Sequence, residues 1–203
     1  MKIAVIGASG AVGSRLVKEA TSRGHVVTGI ARDSTKAPTG PNVTARSGDL
    51  ANQPDMAKLI QGHDAAVLSV RHKDNDVTDF LSAAEAAGVK RVLIVGGAAS
   101  LMNNEGVRLL DTPGFPEVIK AEATPAAGSL EKVRANTHLD WTFLSPSIML
   151  QPGTRTGKFR KGLDNVIFDD KGGSSISMED LAVAIVDELE KPEHIRKRFT
   201  VGY

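Results

Sequence analysis

Gly7, Gly10 and Gly13, with Ala8-Ser9 and Ala11-Val12 between them, follow the apolar run Ile3-Ala4-Val5-Ile6 and precede an amphipathic segment containing Leu16, Val17 and Ala20. A strand, a tight turn and a helix are the parts of a phosphate-binding crossover. Glycine lets backbone N–H groups approach a pyrophosphate, lets the helix close on its strand, and leaves the positive helix end facing the anion. The spacing, G-x-x-G-x-x-G, is one residue longer in its first step than the general dinucleotide fingerprint G-x-G-x-x-G. The context is the required one, because the turn follows a strand and a second apolar stretch, Val26 to Ile30, comes where a crossover returns. No Lys-Ser or Lys-Thr pair follows, as a Walker loop would require, and Ala11 stands where a G-x-S-x-G nucleophile elbow has its last glycine.

The end of the second strand bears on which nucleotide is bound. An acid there takes the ribose hydroxyls of NAD, whereas an arginine accommodates the 2′-phosphate of NADP. Here Arg32 precedes Asp33, with Ser34, Thr35 and Lys36 behind. Arg32 suits a planar, bidentate grip on phosphate and favours NADP(H) over NAD(H), while Asp33, near the ~20-residue offset of a ribose ligand, keeps NAD(H) open. His25, His63, His72, His138 and His194 are scattered without an H-E-x-x-H pair, so no metal site is expected. Nothing joins His138 and Asp140 to a serine as a hydrolytic triad. Ser100, just beyond a strand's carboxyl end, is the polar candidate for touching substrate, the alternative being a turn hydroxyl bonded to local backbone. Leu101, Met102, Ile148 and Met149 could floor a flat ring system or simply pack.

Further strands are expected at Val43 to Arg46, Ala65 to Val70, Arg91 to Val95, Trp141 to Leu144 and Phe199 to Val201, the last closing the sheet, with a short one at Val166 to Phe168. Helices are expected over Pro54 to Ile60, Thr78 to Ala87, and Glu117 to Arg134 with a break at Pro125. A last helix opens on the N-cap Ser177 and turns Leu181, Ile185 and Leu189 inward. This alternation predicts an α/β fold, a doubly wound parallel sheet of the NAD(P)-binding Rossmann type, as a single domain over residues 1–203. Ligands sit beyond the strands' carboxyl ends, which nominates Ser69 to His72 and Gly96 to Met102 as site loops. Small substrate-side segments are expected within about 97–116 and 147–177. Gln151 to Gly162, with Arg155, Lys158, Arg160 and Lys161, is expected to be a flexible basic excursion whose charges face solvent, the alternative being that they meet a phosphorylated substrate.

With 203 residues, 41% hydrophobic and 24% charged, the chain has the balance of a soluble globular domain, and no run approaches the ~18 apolar residues of a membrane span. Lys plus Arg at 25 against Asp plus Glu at 24 gives no global pull toward nucleic acid. The absence of cysteine and of a visible signal peptide makes the cytoplasm the expected compartment, with a small-molecule partner and neither nucleic acid nor membrane.

Through the glycine turn, Arg32-Asp33, Gly48-Asp49-Leu50 and Ser177-Met178-Glu179-Asp180-Leu181-Ala182, the chain resembles the atypical short-chain dehydrogenase/reductases. Within them it is most similar to the bacterial NAD(P)H-flavin reductase group related to biliverdin reductase B and to NmrA-like proteins. The likeness spans nearly the whole chain, notably Val95 to Leu101, Asp140 to Pro146 and Gly153 to Gly157. The resemblance implies that Gly7, Ser9, Gly10, Ala11, Val12 and Gly13 hold the pyrophosphate and Arg32 the 2′-phosphate. Asp49 and Leu50 would flank the adenine, Ser69, Val70 and Arg71 would line the route to the nicotinamide, and Gly96, Gly97, Pro146 and Ser147 would complete that end. One departure matters: the wider superfamily uses a Tyr-x-x-x-Lys pair, yet the only tyrosine here is Tyr203, and Lys120 has no tyrosine three or four residues before it. Alcohol–ketone chemistry is therefore not expected. Reduction of FMN or another flavin, as substrate and not as a tightly bound group, or of a flat quinone or biliverdin, is the implied activity. Hydride goes to the acceptor and the proton comes from solvent. The resemblance equally allows a non-catalytic, NmrA-like NADP(H) sensor. The sequence leaves the oligomeric state open.

Overall fold

The computed structural model describes residues 1–203. Its strands are β1 (Lys2–Ile6), β2 (Val26–Ala31), β3 (Val43–Ser47), β4 (Ala65–Leu68), β5 (Arg91–Val95), β6 (Asp140–Pro146), β7 (Met149–Gln151), β8 (Arg160–Gly162), β9 (Ser175–Ser177) and β10 (Lys197–Gly202). The helices are α1 (Ala11–Ser22), α2 (Gln53–Ile60), α3 (Val77–Ala87), α4 (Glu117–Arg134) and α5 (Met178–Glu190). Eight strands form one sheet in the order β3-β2-β1-β4-β5-β6-β10-β8, parallel except for β8 at its edge. The chain runs outward from β1 to β3 and then returns to lay β4 against the other side of β1. A crevice opens where the strand order reverses in this way, and ligands of such sheets bind there.

The central strands are apolar along their whole length because helices cover both faces. On one face Leu16 and Val17 of α1 and Leu181, Ile185 and Leu189 of α5 pack over Ile3, Val5, Val67 and Leu93. On the other, Met56 and Ile60 of α2, Phe80 of α3 and Leu130 and Val133 of α4 pack over Ala4, Ile94 and Phe143. Local chemistry sets the helix ends: Asn52, Asp76 and Ser177 accept backbone N–H bonds as N-caps of α2, α3 and α5, and Gly88 ends α3 in the left-handed region. No helix is long and apolar enough to cross a membrane.

Several expectations are corrected. Pro125 does not break its helix; α4 runs unbroken through it. The carbonyl that loses its partner belongs to Ala121 on the exposed face, where water can bond it. β4 ends at Leu68, opposite Ile6, so Ser69 and Val70 belong to the loop beyond. Residues 151–162 are not a free excursion. The Arg155 guanidinium donates twice to Glu19, at 2.7 and 2.8 Å, and holds that carboxyl below the usual range. The amides of Thr156 and Gly157 both donate to Asp180 Oδ1 at 2.8 Å. β8 then pairs antiparallel with β10, so the strand holding Phe199 to Val201, although last in the chain, is not the edge of the sheet. Val166 to Phe168 is not a strand; β9, which pairs with β7 in a separate parallel ladder, takes that place in the order.

Candidate nucleotide-binding cleft

Where β1 ends, Gly7 turns with φ +88° and its N–H donates to Ile30 O at 2.9 Å. The N–H of Gly10 returns to Gly7 O at 3.0 Å, so the longer first step of the glycine spacing is a closed four-residue turn. A Cβ on Gly7 would fall 2.0 Å from Ser69 O, and one on Gly13 would fall 2.1 Å from Gly7 O. Both glycines are therefore demanded by backbone passing backbone. Gly10 then caps α1 without a side-chain bond, no acid occupies the first turn, and the amides of Ala11, Val12 and Gly13 make no hydrogen bond within the chain. Free amides at the positive end of a helix dipole suit an anion such as a pyrophosphate.

That helix end opens on a cleft of about 560 Å³ at the switch between β1 and β4. Of the residues expected there, Gly7, Ser9, Gly10, Ala11, Val12, Arg32, Asp49, Leu50, Ser69, Val70, Arg71 and Gly96 line it. Arg32 and Arg71 face it as cations, Asp49 and Asp74 as acids. Asp33 is not on the wall. Its carboxylate accepts from the Thr35 amide at 3.1 Å and the Thr35 hydroxyl at 2.6 Å, which hold it below the usual carboxylate range. At the end of β2 the arginine faces the cleft while the acid is turned into its own loop.

The remaining expected residues lie elsewhere. Gly13 sits behind the turn, packed on Gly7, and Gly97 is against Ala126. Pro146 is in the sheet, and Ser147 is buried with its hydroxyl donated to Val201 O at 2.7 Å. Ser100 is also buried away from the cleft: its Oγ accepts from the Arg198 guanidinium at 3.2 Å, and it borders a second cavity of about 500 Å³ with Met102, Arg108, Glu131 and Arg134. Leu101 is core, whereas Ile148 and Met149 are exposed beside Leu150, which does line the cleft.

Gly48, Asp74, Asn75 and Leu150 were not foreseen. Gly48 borders the cleft above Ile30 and Leu59, where a Cβ would meet Leu59 Cδ1 at 2.6 Å. Asp74 and Asn75 follow the β4 end by a few residues, in a loop that folds back as Asn75 Nδ2 donates to Arg71 O at 2.8 Å. The strand-end rule could have reached them had the loop been extended. Leu150 lies on a three-residue strand with no periodic signal of its own.

Residues 7–192 match a family model described as NAD(P)H-binding. An uncharacterized Bacillus subtilis protein, YwnB, is 40% identical over 211 aligned positions, covering 99% of this chain and 98% of that one. A solved structure from Bacteroides thetaiotaomicron, provisionally described as an epimerase, superposes with a TM-score of 0.93 at 38% identity, covering 100% of this chain and 96% of the other. One from Streptococcus pneumoniae, provisionally described as an NADH-flavin reductase, gives a TM-score of 0.84 at 34% identity, covering 100% and 99%.

Proposed function

This chain belongs to the NAD(P)H-binding family, and from the geometry of its cleft we propose that it is an NADPH-dependent reductase delivering hydride to a flavin or a similarly flat acceptor. The observation that carries the nucleotide half is the uncapped N-terminus of α1 facing the same cleft as Arg32, with Asp33 turned into the Thr35 loop. A guanidinium there suits a 2′-phosphate, and the acid beside it at the end of β2, Asp33, is turned away from the ribose. The acceptor half is supported by what the chain lacks for carbonyl chemistry. The hydroxyl of Tyr203 donates to Asp180 Oδ2 at 2.7 Å, which leaves no tyrosine to serve as general acid. An acceptor whose proton can come from water needs only to be stacked, and Val70, Val95 and Leu150 on the cleft wall offer apolar contacts for it.

Bound NADPH supplies hydride from C4 of its dihydronicotinamide, and a flavin accepts it at N5. The chain's part is to hold the pyrophosphate on the α1 amides, the 2′-phosphate on Arg32, and the ring end against Val95 and Gly96. The reading takes free small molecules as partners, not nucleic acid or membrane, and a cytoplasmic setting; the near balance of 25 basic against 24 acidic residues supports only the exclusion of nucleic acid, since it exerts no global pull on a polyanion.

Fluorescence titration tests the nucleotide half. Arg32→Ala should weaken NADPH by roughly 10- to 100-fold, the worth of a charge-assisted bond, and leave NADH within about twofold. Equal weakening of both removes Arg32 from the phosphate. The acceptor half is tested by following NADPH oxidation with FMN, riboflavin, a quinone and biliverdin. Consumption with one of them supports the reductase. Tight binding with no turnover across the panel refutes it in favour of a redox sensor.

A further inference from the structure

His72 lies within the loop after β4, between Arg71 and Asp74, which both line the cleft, yet it is buried and absent from the cleft wall. Its Nε2 lies 2.8 Å from Val95 O, and its Nδ1 lies 2.9 Å from Ser129 Oγ on α4. A carbonyl can only accept, so Nε2 carries the proton. Burial pushes the imidazole below its ordinary value and keeps it neutral, so Nδ1 presents a lone pair to the Ser129 hydroxyl, whose one proton has Pro125 O at 3.0 Å as its other acceptor. One small ring thus joins the loop after β4, the end of β5 and the middle of α4. Val95 and Gly96 line the cleft, and Phe143 fills the space behind Gly96 so closely that a Cβ there would lie 2.1 Å from Cε1. The same Phe143 ring stands 6.5 Å from the His72 ring, centroid to centroid. The Val95–Gly96 peptide is therefore held from two sides, by Phe143 behind it and by His72 on its carbonyl.

We propose that His72 is a positioning residue for the nicotinamide end of the bound dinucleotide: through Val95 O it sets the Val95–Gly96 floor against the Ser69–Arg71 wall, without touching the nucleotide. The inference rests on the cleft being the NADPH site. A histidine that merely fills the core would, when replaced, loosen both halves of the nucleotide or neither. A positioning histidine acts on one half alone, because the adenosine end is held by the residues after β2 and β3, which His72 does not contact.

The probes are NADPH, which occupies the whole cleft, and adenosine 2′,5′-bisphosphate, which occupies only the adenosine half. Each is titrated against the wild type, His72→Leu, His72→Gln and Ser129→Ala, with circular dichroism to check folding. His72→Leu, which keeps volume and removes the donor, should weaken NADPH about tenfold and change the bisphosphate by less than about twofold. His72→Gln, whose amide nitrogen can take the place of Nε2, should recover most of the loss. Ser129→Ala, which frees the ring on its other side, should show a smaller loss in the same sense, and it carries the test should His72→Leu fail to fold. Parallel weakening of both probes, no weakening of either, or glutamine behaving as leucine overturns the proposal. A wild type that binds neither probe overturns the proposed function with it, whereas normal wild-type binding with indifferent variants overturns the positioning role alone.

Discussion

Gly96→Ala should destabilise the protein through a single aromatic ring, and shrinking that ring should relieve it. A Cβ at position 96 would fall 2.1 Å from Cε1, 2.3 Å from Cζ and 3.2 Å from Cδ1 of Phe143. Carbon atoms rest at about 3.5–4.0 Å, so ring and backbone must part by more than about 1 Å. Phe143 is fully buried among Ile94, Trp141 and Leu130, in an interior too closely packed to yield that distance freely. The cost belongs at the upper end of overpacking, about 2–3 kcal/mol, or a fall in Tm of roughly 5–10 °C for a chain of this size. Phe143→Leu removes the clashing atoms and alone costs about 1–2 kcal/mol. If the ring is what forbids the side chain, the double variant is more stable than the two costs predict by about 1–2 kcal/mol. Urea unfolding of the four proteins, followed by circular dichroism and by the single tryptophan, Trp141, measures that coupling. Additivity within about 0.5 kcal/mol, or a Gly96→Ala protein as stable as the wild type, refutes the reasoning.

Stability should fall as pH drops below the ordinary histidine value of 6.5, because burial lowers the His72 value and the unfolded chain then binds a proton that the native chain refuses. Its contribution is whole above that value and is lost as pH falls toward the native one, with a slope approaching about 1.4 kcal/mol per pH unit. Urea midpoints between about pH 7.5 and 5.5 should flatten in His72→Gln, and an unchanged slope assigns the proton elsewhere. Ser177→Ala removes both the N-cap bond to the Asp180 amide at 3.0 Å and the donor to Thr154 O at 2.9 Å. It should cost about 1–2 kcal/mol in urea unfolding, and a neutral result denies that cap its role. Ser100→Ala should lower stability by about 1 kcal/mol, since Arg198 loses an acceptor, and leave NADPH affinity within about twofold. Lost turnover at unchanged stability would instead put Ser100 against the acceptor.

What was legible in the sequence was what local backbone chemistry determines. The run of Gly7, Gly10 and Gly13 shows in its own turn and the helix that follows, although Gly7 is also demanded by the Ser69 backbone, and the caps Ser177 and Gly88 act within four residues. The central strands declare themselves because burial on both faces leaves them uniformly apolar. The same local reasoning misjudged Pro125, because the cost of its missing N–H depends on whether Ala121 meets water or core, which neighbouring elements decide. The strands β7, β8 and β9 are three residues each and form only by pairing with distant partners, so they carry no periodicity to find.

By itself, then, the sequence determined a nucleotide-binding crossover at its head, a parallel α/β sheet, and an arginine and an acid competing at the end of β2. Tertiary structure decided which residues share the cleft. It turned Ser100 onto Arg198, 98 residues away, spent the lone tyrosine on Asp180, and brought His72 between Val95 and Ser129. Spacing along a chain reports backbone conformation over a few residues, while a side chain's partner is set by which segments pack together, and no local pattern records that.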